Sequence, residues 1–206
     1  IMLYELSVKE FIETTASSAP VPGGGSVSAL CGSLSAALTK MVAGLTVGKK
    51  NYIAVNDEMQ EIVEKMPYYQ TPLMEAIQKD SNSFDTVMAA FRLPKVTEEE
   101  KVLRNQAIEN ATKLAAEVPL KTAQTVTETF DTLAFVAEKG NKNTMSDIAV
   151  ATMLARTAIF GALYNVKINL SGLPENEYKT NMLMEVERLH TQAECKEKEI
   201  LSKIIL

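Results

Sequence analysis

The sequence predicts an all-α fold, a single-domain bundle of long helices spanning residues 1–206 and built to self-associate. Three observations carry that prediction. Apolar residues recur at helical spacing through most of the chain. The pairs Ser7/Glu10 and Thr97/Glu100 have the form of capping boxes that open helices. Only Asn165–Leu170 alternates in the manner of a strand, and it reads as a helix continuation or an extended link.

Taken in order, a short helix runs from Ser7 to about Thr15, and the loop Ser17–Gly25 follows. Ser26 is the natural N-cap of a long helix ending near Val47, with Gly48 as its stop. Ala29, Gly32, Ser33, Ala36, Ala37, Ala43 and Gly44 make that helix rich in small residues, so it belongs at the centre of a bundle or against a copy of itself. Asp57–Lys65 is helical and breaks near Met66-Pro67. Thr71-Pro72 restarts a helix that ends at Phe91. From Thr97 a long helix is kinked but not ended by Pro119, since Ala123, Val126, Phe130 and Leu133 keep its spacing. Gly140-Asn141 breaks the chain, Thr144 or Ser146 caps a helix to about Leu163, and Pro174 opens the last one. This gives roughly six to eight helices.

The bulk properties exclude several classes of function. A chain of 206 residues with 46% hydrophobic and 23% charged residues can bury a core without staples. Its net charge of -5 offers no general attraction to nucleic acid or to an anionic membrane. Cys31 and Cys195 make neither a disulfide framework nor a zinc set, and a reducing cytoplasm is the simplest setting. The polar start of the chain does not read as a signal peptide, and Ser26–Gly48 reads as a buried helix rather than a membrane span. His190, the single histidine, reads as a solvated helix residue, which leaves Ser-His and Cys-His catalysis without a base. No metal-ligand spacing is present. Acid–base work falls to Asp, Glu, Lys or Tyr.

Two features remain as candidates. The loop Pro20-Val21-Pro22-Gly23-Gly24-Gly25-Ser26 either lets backbone amides at a helix N-terminus approach an anionic ligand, or is a tight turn into a buried helix. Asp80 precedes Phe84 by four residues, and Met88 and Phe91 extend the same face. A carboxylate there is either desolvated, with a raised pKa suited to acid–base catalysis, or an ordinary surface acid. Lys49, Lys50, Arg92 and Lys95 are cations near helix ends. Asn141, Ser146 and Asp147 cluster at one helix start, and Asn165 and Asn169 interrupt an apolar stretch.

The glycine loop, Met41–Lys50, Asp80…Phe84…Ala89–Lys95, Pro119-Leu120, Gly140-Asn141…Ser146-Asp147 and Gly161–Val166 together resemble, in order, the formiminotetrahydrofolate cyclodeaminase and methenyltetrahydrofolate cyclohydrolase family. One departure is Gly32-Ser33-Leu34-Ser35, where a Gly-Ala-Leu-Gly type run is the family pattern. The resemblance implies an all-helical homodimer or higher homo-oligomer, a tetrahydrofolate derivative as substrate, and no cofactor or metal. It implies Asp80 as the catalytic acid–base group. Under it Gly23, Gly24, Gly25 and Ser26 orient the substrate, Lys49, Lys50, Arg92 and Lys95 hold its glutamate carboxylates, and Asn141, Asp147 and Asn165 bind the pterin edge. The expected activity is cyclodeamination of 5-formimino-tetrahydrofolate. The alternatives are the cyclohydrolase reaction and a non-catalytic helical bundle that binds folate or another anion.

Overall fold

The computed structural model describes residues 2–205, which form eight α-helices and no strand. They are α1 (Val8–Thr15), α2 (Gly24–Gly44), α3 (Asn56–Lys65), α4 (Pro67–Phe91), α5 (Glu98–Thr127), α6 (Phe130–Lys139), α7 (Met145–Ser171) and α8 (Glu177–Ser202). Short 3-10 turns precede α1, α3 and α7. Both capping boxes form as the sequence predicts, Ser7 with Glu10 and Thr97 with Glu100.

α2 is the hub, in contact with α3, α4, α5, α6 and α7. Its small residues explain that position. A β-carbon on Gly32 would lie 2.7 Å from Val126 Cγ2 and 3.3 Å from Leu73 Cδ2, so α2 touches α4 and α5 with no room for a side chain. Along α7 the Ser35 hydroxyl donates to the Ala151 carbonyl at 2.7 Å, and Gly161 passes close over Ser28. The core of α7 includes Ile148 and Ile159, both fully buried, each contributing about 1.5–3 kcal/mol by transfer from water. By length and composition Gly24–Gly44 and Lys142–Ser171 are each apolar enough to cross a membrane, but their small and apolar residues are used against one another and the rest of the bundle.

The structure corrects six boundaries. Gly23, in extended conformation, is the N-cap of α2, and Ser26 lies inside its first turn. The reason is tertiary: the α2 N-terminus is capped by a carboxylate from α4, described below. α2 ends at Gly44, and Gly48 follows four residues later with φ +72°, where its N–H donates to Asn56 Oδ1. α4 starts at Pro67, and Pro72 sits inside it. Pro72 removes only the bond to the carbonyl of Tyr68, and both residues are exposed, so water serves that carbonyl. The α5 pattern does continue past Pro119, but the helix ends at Thr127 and α6 restarts at Phe130. α7 runs to Ser171, so the alternating run is helix, and α8 starts at Glu177 with Asn176 as its cap. His190 is not solvated: it is half-buried and stacked on Phe160, with ring centroids 4.1 Å apart.

Candidate active site

A cleft of about 350 Å³ opens where the loop before α2, the middle of α4 and the C-terminal half of α7 converge. Pro20, Val21, Gly23, Gly24 and Gly25 form one wall, Asp80, Ser83, Phe84 and Val87 of α4 a second, and Asn165, Ile168 and Asn169 of α7 a third. Ala115 of α5 also lines it.

Asp80 lies across the first turn of α2. Its Oδ2 is 2.9 Å from Ser26 Oγ, and the Ser26 backbone N–H donates to the same carboxylate. A helix N-terminus has unpaired N–H groups and a positive dipole end, so a carboxylate caps it naturally. The contact is close enough that a β-carbon on Gly25 would overlap the Asp80 carboxylate, and one on Gly24 would come within 3.2 Å of Asn165 Nδ2. The glycines therefore admit side chains from α4 and α7 onto the α2 N-terminus. Burial pushes the Asp80 carboxyl above its ordinary value, while the two Ser26 hydrogen bonds pull it partly back. The result is a carboxylate that takes a proton more readily than a free aspartate, at the edge of an open cleft.

The source of that burial differs from the one expected. The face carrying Phe84, Met88 and Phe91 is not a core face, since Phe84 and Phe91 are exposed. Asp80 is desolvated by the α2 N-terminus, and Phe84 is the cleft's aromatic wall. In α7, Asn165 Nδ2 donates to the Gly161 carbonyl at 2.8 Å and Asn169 Nδ2 to the Ala115 carbonyl at 2.7 Å. Each amide is thus oriented by its own scaffold and presented at the cleft.

The structure brings Gly23, Gly24, Gly25, Ser26, Asp80 and Asn165 together. Ser26 is fully buried, so its hydroxyl serves Asp80 and the Ile77 carbonyl and does not face the cleft. Lys49, Lys50, Asn141 and Asp147 are elsewhere. α2 is about 30 Å long at 1.5 Å per residue, and these four lie beyond or beside its C-terminal end. Asn141 has structural duties there: its side chain donates to the Leu45 carbonyl at 2.9 Å and its N–H to Thr46 Oγ1 at 2.9 Å. Lys49 and Lys50 are exposed, and Asp147 occupies the first turn of α7. Arg92 and Lys95 are exposed past the end of α4, about three helical turns from Asp80. The guanidinium that closes that helix end is Arg104, bonded to the Phe91 carbonyl through Nε at 3.3 Å.

No cation lines the cleft, and among the described residues no three His, Cys, Asp or Glu side chains gather in a metal-ligating group. Sequence reasoning missed Asn169 and Phe84 as cleft residues. The signal for Asn169 was present: it is spaced four residues from Asn165, which puts the two on one helical face.

The sequence model of the family described as formiminotransferase-cyclodeaminase matches residues 7–188. The chain is 40% identical over 187 residues to the methenyltetrahydrofolate cyclohydrolase of Methylorubrum extorquens, covering 91% of this chain and 90% of that protein. It is 30% identical over 202 residues to the formimidoyltransferase-cyclodeaminase of Rattus norvegicus, covering 98% of this chain but only 37% of that longer protein. The crystal structure of formiminotetrahydrofolate cyclodeaminase from Thermotoga maritima superposes with a TM-score of 0.86 at 34% identity, covering 97% of this chain and 96% of that one. The ordered match from α1 into α8, together with the shared fold, shows that this chain belongs to the formiminotransferase-cyclodeaminase family.

Proposed function

We propose that this chain is a formiminotetrahydrofolate cyclodeaminase that forms 5,10-methenyl-tetrahydrofolate and ammonia, with Asp80 as its acid–base group. The observation that carries the reading is the Asp80 carboxylate, half-buried against the α2 N-terminus and facing a cleft with no other titratable side chain.

The chemistry needs one proton to be moved. The formimino group enters as its cation, and N10 attacks the formimino carbon to give a tetrahedral centre. Asp80, ionised, takes the proton from N10. It returns that proton to the former imino nitrogen, the carbon–nitrogen bond breaks, and ammonia leaves the methenyl cation behind. A positioned carboxylate of this kind contributes about 10²–10⁴ in rate. The balance closes without a metal or redox group. Asn165 and Asn169 offer amides to a pterin edge, Phe84 a ring for it to lie against, and Gly23, Gly24 and Gly25 a wall without side chains.

A second reading is favoured by the 40% identity to a cyclohydrolase of similar length. In that reaction Asp80 removes a proton from the water attacking the methenyl carbon and returns one to N5 as 10-formyl-tetrahydrofolate forms, while the second water proton goes to solvent. Supplying purified protein with each substrate in turn separates the two. Ammonia released from 5-formimino-tetrahydrofolate supports the first, and loss of methenyl absorbance without it supports the second. Binding of folate with turnover of neither substrate leaves only a binding module.

We also propose a cytoplasmic homodimer or higher homo-oligomer. α2 leaves Leu34 and Met41 exposed, with Leu45 just past its end, and α7 leaves Val150, Met153, Tyr164 and Ile168. Water-facing apolar stripes on the two central helices fit a covered surface. A second copy also offers the charge this cleft lacks, since Lys49 and Lys50 lie past the far end of α2 from their own subunit's cleft.

A further inference from the structure

Ser26 is out of reach of any ligand, yet its hydroxyl has two acceptors and one proton. Its Oγ is 2.9 Å from the Ile77 carbonyl oxygen and 2.9 Å from Asp80 Oδ2, and the residue has no exposed surface. The carbonyl can only accept. When Asp80 is ionised, the hydroxyl donates to Oδ2. When Asp80 is protonated at Oδ2, that O–H donates to Ser26 Oγ, and the hydroxyl proton turns to the Ile77 carbonyl. Both protonation states are then fully hydrogen-bonded with no heavy atom displaced. Without the hydroxyl, the ionised carboxylate loses a donor and the protonated carboxyl loses its acceptor.

We propose that Ser26 is a positioning residue for Asp80, a hydroxyl that changes acceptor as the carboxyl gains and loses the reaction proton. The proposal rests on the reading of Asp80 as the acid–base group and adds a reason for a serine at the third residue of α2. No competing titration faces Asp80. Among the described residues it is the one titratable group lining the cleft, and α2 carries no charge before Lys40. On α4, Lys79 is exposed and paired with Glu75 at 2.8 Å, and Asp85 is exposed. On α5, Lys113 pairs with Glu109 at 2.7 Å and Glu117 accepts from Tyr178 Oη. On α7, Lys167 pairs with Glu187 at 2.8 Å.

The test is the pH profile of kcat/KM for the wild type, Ser26→Ala, Ser26→Cys, Asp80→Asn and the double variant Ser26→Ala/Asp80→Asn. The cysteine fills the serine's space but is a weak donor. A hydrogen bond to the charged form is worth more than one to the neutral form, so both Ser26 variants move the acidic limb to higher pH. At neutral pH they lose roughly tenfold in kcat with KM nearly unchanged. In the Asp80→Asn background the serine substitution costs little further, because its route is gone. An unmoved limb in both Ser26 variants beside an inactive Asp80→Asn overturns the role of Ser26 alone. An equal loss from Ser26→Ala in both backgrounds makes the residue merely structural and also overturns it. Full activity in Asp80→Asn removes the reading of Asp80, and this proposal with it.

Discussion

The Asp80 carboxylate occupies the volume that a β-carbon on Gly25 would take. The backbone at Gly25 is ordinary helix, since the one glycine with positive φ is Gly48 among the described residues. An alanine could therefore adopt the conformation, and the atoms nearest its β-carbon are those of the Asp80 carboxylate. Gly25→Ala should leave folding nearly unchanged, with the about 0.5–1 kcal/mol helix advantage of alanine over glycine offsetting the clash. It should cut kcat about a hundredfold by displacing the acid–base group by an ångström or so. Steady-state kinetics beside a thermal melt checks both halves.

Asp80→Asn should separate activity from stability. The folded-state pKa of Asp80 is raised by burial, so ionising it costs folding energy that protonating it does not. Its contribution is therefore most favourable below the ordinary aspartate value of 3.8 and is lost as pH rises through the folded-state value. The neutral variant should melt at a higher temperature than the wild type at neutral pH, with the gap closing as the pH falls toward 3.8. A gap independent of pH would contradict the desolvation account.

Much of this was legible in the sequence, and what was not has a common cause. Ser7 and Thr97 act through neighbours within four residues, and the helices they open start as read. Ser26 looked like a cap because the rule for caps is local, but α2 is capped by Asp80, 54 residues away. Lys49 and Lys50 stand apart from the cleft for a related reason. Lys49, Lys50 and Gly25 sit in one sequence block on either side of a helix, and the helix's length holds them apart. Spacing along the chain shows which face a residue takes, and not which end of another helix it meets.

The proposed homo-oligomer, with Lys49 and Lys50 remote from their own cleft, predicts complementation between subunits. Lys49→Ala/Lys50→Ala should raise KM for a polyglutamylated substrate roughly fivefold, as an exposed ionic contact does, with kcat little changed. Mixed oligomers of that variant with Asp80→Asn should show sites of wild-type KM, because one cleft in such a pair keeps Asp80 and meets intact lysines. A KM that stays at the variant's value in every mixture would rule out a shared site.

Gly32→Ala tests the fold without touching the chemistry. Its β-carbon meets Val126 and Leu73 where three helices touch. The substitution should cost about 1–3 kcal/mol of stability, as overpacked cores do, with KM unchanged. Chemical denaturation with a parallel assay measures it.

The most direct test of the central claim is single-turnover formation of methenyl-tetrahydrofolate from 5-formimino-tetrahydrofolate, followed by absorbance with ammonia counted in parallel, for wild type and Asp80→Asn. The account predicts one ammonia per methenyl group formed by the wild type, and a rate lower by about 10²–10⁴ in the variant. Equal rates in the two proteins would contradict it.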